Sequence, residues 1–406
     1  MNDPTRRRIA TVAAISTLGL VACTTLVRAP TLLERRSAFD ADNRGWSFQH
    51  MAELFPTRTI SRGEQLHALP RAERSLDDVA VTVSERSVPL GEHLVGNHAA
   101  GMVVLHEGRL VYERYDLGAD ETTRFTSWSV AKSLTATLVG LARADGRIGD
   151  LGDPIERYVP EANGTGYEGV TIRQALQMSS GVTFTEVYSD GGSDVLQFMV
   201  DSLMSNQERA NAIAIDRPRG HEPGTYFNYN TAETQVLGWI VHNATGRTLS
   251  AYLEEKLWRP LGMEHDATWA LDLEGAGGME MAGCCLNMTL RDQARFGQLY
   301  LDDGIARGER ILSEGWVAEA TTPSAPHLEV GGGVGPDIGY QYQWWIFPDG
   351  TYAAEGVYGQ FIWIDPTHRV VIARASAWPV EWDEALAAEA IAGFRAIAAA
   401  VATPAD

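Results

Sequence analysis

Lysine is nearly missing from this chain: it stands at Lys132 and Lys256 alone, and every other basic side chain is an arginine. Arginine cannot give up its proton near neutral pH, whereas a buried lysine can, so a surviving lysine is a candidate for acid/base chemistry. Lys256, in Glu254-Glu255-Lys256-Leu257, reads instead as an accidental survivor. Basic charge is scarce altogether, with 33 Lys and Arg against 53 Asp and Glu and a formal net charge of -20. That balance opposes a phosphate-backbone partner, so nucleic acid is not an expected ligand. Cysteine is scarce too: beyond Cys23 there are only Cys284 and Cys285. Adjacent cysteines seldom bridge because the ring needs a strained peptide, so the pair is expected to be two buried thiols.

Several chemistries lack their patterns. The ten histidines, His221 and His265 among them, show no HExxH or paired ligand spacing, so no metal site is expected. No Gly-x-Ser-x-Gly occurs, which removes the nucleophile elbow of the α/β-hydrolases. Gly331-Gly-Gly-Val-Gly335 has no following lysine and hydroxyl residue, and reads as a surface loop rather than a phosphate cradle.

What is present bounds the rest. A chain of 406 residues with 45% hydrophobic content can bury a large core in two or three structural units. It opens with Arg6-Arg7-Arg8, an apolar run over residues 9–22, and Cys23. The run is too short for a comfortable membrane span and reads as a targeting segment. Leu20-Val21-Ala22-Cys23 resembles the bacterial lipobox, whose cysteine is acylated; a short signal anchor and an ordinary signal peptide are the alternatives. In each case the body is expected outside the cytoplasm, in the periplasm or cell envelope, with Cys23 as its membrane anchor. Residues 24–45 are expected as a tether and 46–406 as the body.

In that body, residues 101–106 and 109–115, joined by Glu107-Gly108, form a predicted β-hairpin. Helical spacing of apolar residues covers 129–141, 172–178, 194–205, 232–244, 249–257, 290–301 and 313–321. Strand-like runs return at 340–347, 361–364 and 370–375, before an alanine-rich helix around 384–400. A sheet built from both chain ends, with a helical part at roughly 145–320, predicts an α/β sandwich with a helical insertion. Small-molecule sites tend to form in clefts between such units.

The segment that carries chemistry is Ser129-Val130-Ala131-Lys132. Spacing of three on a helix stacks both side chains on one face, so the amine can reach the hydroxyl. A serine hydroxyl needs that neighbour, and a lysine desolvated at a buried helix start can take its proton. The motif alone is short. Its company is Thr171-Ile-Arg-Gln-Ala-Leu-Gln-Met-Ser-Ser-Gly181, Pro223-Gly-Thr-Tyr-Phe-Asn-Tyr-Asn-Thr231 and Glu355-Gly-Val-Tyr-Gly-Gln360, in that order.

Together these segments resemble the serine β-lactamase and penicillin-binding-protein superfamily, nearest to its 6-aminohexanoate-dimer hydrolases and related esterases. The resemblance runs from about Trp46, in Trp46-Ser-Phe-Gln-His50, to the end of the chain. It implies the β-lactamase-like sandwich, an antiparallel sheet flanked by helices with a helical domain inserted, and hydrolysis of small linear amides or short-chain esters without a cofactor. It implies Ser129 as nucleophile, Lys132 as base and Tyr229 as their partner. The oxyanion would lie between the amides of Ser129 and Val357, and Tyr188 and Trp345 would meet the substrate. Two departures count against β-lactams. The family's Lys-Thr-Gly is absent, and the Tyr-x-Asn element reads Tyr229-Asn230-Thr231. A β-lactamase or DD-peptidase, and a non-catalytic penicillin-binding-like sensor, are the alternatives.

Overall fold

Two apolar runs from opposite ends of the chain meet in one sheet. In the computed structural model, which describes residues 30–83 and 86–403, the hairpin strands β1 (Ala99–His106) and β2 (Arg109–Tyr115) lie beside strands from the C-terminal part. These are β3 (Gly339–Gln341), β4 (Trp344–Ile346), β5 (Tyr352–Gly356), β6 (Gln360–Asp365) and β7 (Val370–Ser376). Their order is β3-β4-β5-β6-β7-β1-β2, antiparallel throughout. Both faces of the central strands are covered, which is why they read as continuous apolar runs rather than as alternations. Phe361 and Trp363 face Phe394 of α4 (Glu384–Ala402), at ring separations of 5.5 and 5.8 Å. Ile362 and Val371 face α3 (Leu290–Leu301), where a Cβ on Gly297 would come within 2.8 and 2.5 Å of them. Helix α4 is long and apolar enough to cross a membrane by composition; here Ala390, Phe394 and Ile397 are buried against the sheet.

The nucleophile segment starts the buried helix α1 (Ala131–Ala144), preceded by a 3-10 turn over Trp128–Val130. Helix α2 (Thr231–Thr245) packs beside it. Asn230 caps α2, its side-chain oxygen accepting from the amides of Ala232 and Glu233 at 2.9 and 3.3 Å. Gly246, at φ 68°, ends it.

Three expectations need correction. Cys284 and Cys285 are joined by a disulfide rather than left as thiols. Cys285 takes φ 68°, so the backbone there adopts the unusual conformation the sequence argument weighed as too costly. Second, the tether expected at 24–45 is structured from residue 31 on: Leu32–Ser37 and Arg44–Ser47 are helical. Phe39 and Phe48 pack on Trp128 at 5.7 and 5.1 Å, so apolar side chains hold this segment on the body. Third, the part at 145–320 is not purely helical. Its strands Ala267–Ala270 and Leu286–Met288 form a second sheet with Thr57–Ile60 and Phe125–Thr126. The expected signal segment and Cys23 lie outside the described residues.

Candidate active site

Ser129 directly follows a residue in a strained backbone conformation. Trp128, just before it, has φ 44°, a region disfavoured for a bulky residue, and its indole is fixed by Phe39, Phe48 and Tyr358. Helix α1 then carries Lys132 one turn on, and its Nζ lies 2.8 Å from Ser129 Oγ. The amine has two further acceptors, Thr231 Oγ1 and the Gly283 carbonyl, each at 3.0 Å. Lys132 is 2% exposed. Burial disfavours the ammonium and pulls Lys132 down to about 8, against a weaker upward pull from the Glu186 carboxylate.

Tyr229 arrives from the residue before the α2 cap. Its ring centroid lies 5.0 Å from Lys132 Nζ. Burial, with Glu186 and Glu355 adding negative charge, pushes the phenol well above its ordinary range, so it stays protonated near neutrality. Three packed contacts set this segment in place. Asn228 donates its backbone amide to Met178 O at 2.8 Å. Gly181, at φ 77°, lies so close to His221 that a Cβ would stand 2.2 Å from the His221 carbonyl oxygen. The carboxyl of Glu233, fully buried and raised far above the usual range by burial, accepts from Ser180 Oγ.

Trp345, on β4, stacks on Tyr229 at 5.4 Å and meets Tyr340 edge-on at 4.9 Å, which makes an aromatic wall. The opposite boundary is β5. A Cβ on Gly356 would stand 2.7 Å from Ser127 O and 3.0 Å from Ser129 N, so only glycine lets this strand approach the nucleophile so closely. Val357 follows at once, half-buried, and the turn is held by Tyr358 N donating to Glu381 O at 2.7 Å. Tyr188 is half-buried beside the same site and donates its hydroxyl to Glu186 Oε1 at 2.9 Å.

The candidate site residues inside the described range are linked by one run of contacts: Lys132 to Ser129 and to the Tyr229 ring, Tyr229 to Trp345, and Lys132 through Thr231 and Glu186 to Tyr188, with Val357 following the glycine that approaches Ser129. Two participants were missed. Thr231 enters the sequence reading only as the departure from Tyr-x-Asn, yet its hydroxyl bonds Lys132. Glu186 stands two residues before Tyr188 in a segment that reads as an acidic loop, with no spacing signal to mark it.

An antiparallel sheet covered by helices on both faces, with Ser129 and Lys132 at the start of a buried helix beside it, is the arrangement of a β-lactamase-like fold. The Beta-lactamase family model matches residues 92–395, and the chain belongs to that family. It is 31% identical over 351 residues to the 6-aminohexanoate-dimer hydrolase of Paenarthrobacter ureafaciens, covering 84% of this chain and 87% of the relative. A solved Bacillus anthracis structure, provisionally named as a 6-aminohexanoate-dimer hydrolase, superposes with a TM-score of 0.82 at 28% identity, over 92% of this chain and 99% of the other. A family VIII carboxylesterase shares the fold at a TM-score of 0.58 and 18% identity, over 76% of this chain and 96% of its own.

Proposed function

We propose that the protein is a serine hydrolase that cleaves small linear amides or short-chain esters through an acyl-enzyme on Ser129. The observation that carries this reading is the 2.8 Å approach of a fully buried, acidified lysine to a serine hydroxyl at a strained helix start. Lys132 in its neutral form takes the Ser129 proton as Oγ attacks the carbonyl. The amides of Ser129 and Val357 receive the oxyanion. Tyr229, a phenol that keeps its proton, then passes one to the departing amine or alcohol, and water repeats the attack. Tyr188 and Trp345 bound the acyl and leaving groups.

Selectivity follows from β5. Its sequence Ala354-Glu355-Gly356 brings no cation to the cleft, and a β-lactam carboxylate would lose a charge-assisted contact of about 1.5–3 kcal/mol. Glu355 is buried and pushed up to about 8, chiefly by burial with Glu384 adding to it. Near pH 7 it is therefore mostly neutral, so anions are disfavoured by a missing partner more than by a fixed charge. We expect penicillin turnover about ten- to a hundredfold below that of the best p-nitrophenyl ester or linear 6-aminohexanoate oligomer on the same preparation. Penicillin turnover equal to the best of these would sink the amide and ester assignment in favour of a β-lactamase or DD-peptidase.

The membrane association is proposed on the sequence alone: a diacylglyceryl group on Cys23 would bury enough methylenes to hold the body at a bilayer. Cys23→Ser should give unprocessed or soluble protein. Unchanged fractionation and intact mass would count against lipidation.

A further inference from the structure

Glu186 is not needed to cut any bond in the reaction above, yet it is wired to the base. Thr231 Oγ1 donates to Glu186 Oε1 at 2.7 Å, the Thr231 amide donates to Oε2 at 2.8 Å, and Tyr188 donates to Oε1 at 2.9 Å. A carboxylate can only accept, and a threonine hydroxyl has one proton. Once that proton points at Glu186, Thr231 Oγ1 can meet Lys132 only as an acceptor. The Gly283 carbonyl is also an acceptor only.

A neutral lysine has two N–H bonds and one lone pair. With its hydrogens drawn to Thr231 Oγ1 and Gly283 O, the remaining direction is Ser129 Oγ, 2.8 Å away. We infer that Glu186 is a positioning residue that fixes the direction of the Thr231 hydroxyl and so aims the lone pair of Lys132 at Ser129, and that the same carboxylate joins Tyr188 to the base. This rests on the reading of Ser129 as nucleophile and Lys132 as base.

The surroundings of Lys132 leave this role to one carboxylate. From the turn before its helix comes Ser129; from the segment before α2 comes Tyr229; from the segment before residue 194 come Glu186 and Tyr188. Glu355 of the sheet acts on Tyr229, and Tyr340 meets the Tyr229 ring edge-on at 6.3 Å. Glu186 is the carboxylate whose charge bears on Lys132, and it opposes the effect of burial.

Glu186→Gln is the sharpest test, because the amide keeps the shape but places an N–H where either Thr231 or Tyr188 must already donate. Thr231 can then turn its proton towards Lys132 and occupy the lone pair. The expected result is a fall in kcat on the order of a hundredfold with KM little changed, since a misdirected catalytic group is costly at this scale. The acid limb of the pH–rate profile should also move to lower pH, because loss of the nearby negative charge lowers the lysine further. Thr231→Val should lower kcat by a similar factor, Thr231→Ser, which keeps the hydroxyl, should lose far less than Thr231→Val, and the double variant Glu186→Gln with Thr231→Val should be no slower than the worse single one. A kcat within twofold of wild type, an unshifted acid limb, or single effects that multiply in the double variant would each overturn the inference. Reduced thermal midpoint with an unshifted limb would show a structural role only and overturn it as well. Ser129→Ala run alongside separates the two failures: if that variant still turns over, the nucleophile is misassigned; if it is inactive while Glu186→Gln is normal, only the positioning role is lost.

Discussion

Ser129→Ala should leave a folded protein whose turnover is lower by on the order of 10⁴-fold or more, the loss expected when a nucleophile is removed from a serine hydrolase site. The fold should tolerate the change. The deleted oxygen bonds Lys132 at 2.8 Å, and one such bond has a net worth of about 1 kcal/mol. Lys132 keeps Thr231 and Gly283 as partners, and the anchoring of the helix start rests on Trp128 and its aromatic neighbours, not on the hydroxyl. Initial rates on the best p-nitrophenyl ester and a thermal melt decide the matter together. Turnover within tenfold of wild type at an unchanged midpoint would remove Ser129 from the mechanism.

The parts of this molecule that were legible in the sequence are those where one periodicity dominates. The β1–β2 hairpin is marked by Glu107-Gly108, both at positive φ, between two apolar runs. Helix α3 matches its sequence boundaries because Thr289 caps it, accepting from Asp292 N at 3.3 Å, and because its apolar face repeats at helical spacing. The second sheet escaped because its strands have two to four residues, and those at 125–126, 267–270 and 286–288 are buried throughout, which leaves no alternation to read. The helices at 32–37 and 44–47 escaped because they have only six and four residues, too short to show an apolar period, although Thr31 and Glu34 form a capping box on the first.

In the site, the serine and lysine are coded by a local spacing of three, and Tyr229 by the segment around it. Thr231 and Glu186 act across the fold, where 45 residues of chain separate hydroxyl from carboxylate, and no local pattern encodes that contact. The bridge between adjacent Cys284 and Cys285 is local, but what stands beside it is not. Cys284 and Cys285 follow the Gly283 carbonyl that receives Lys132, and the Cys284 carbonyl accepts from Trp269 Nε1 at 2.9 Å. A count of cysteines cannot convey that they stand beside a backbone acceptor of Lys132.

Replacing Lys132 by arginine should be nearly as damaging as losing the serine, with kcat down about 10³-fold or more. A guanidinium can occupy much of the same volume and can donate to Thr231 Oγ1 and Gly283 O, so binding and folding are not the first casualties. What it cannot do is present a lone pair, because arginine stays protonated throughout the accessible range. The wild-type profile shows why that matters. Burial stabilises the neutral amine and brings Lys132 to about 8, so below that pH the ammonium predominates and the rate should fall tenfold for each pH unit, while above it the base is free. Tyr229 offers no substitute, since burial and the Glu186 and Glu355 charges hold its phenol protonated well above this range. Lys132→Arg should therefore be both slow and without an acid limb near pH 8, measured as kcat/KM on the same ester from pH 5.5 to 10. A variant that keeps the wild-type limb would assign that titration to another group, and one that keeps the wild-type rate would make water or Tyr229 the base. Either result would detach Lys132 from the proton transfer, whereas loss of rate and limb together ties the only buried lysine of this lysine-poor chain to the step that makes Ser129 a nucleophile.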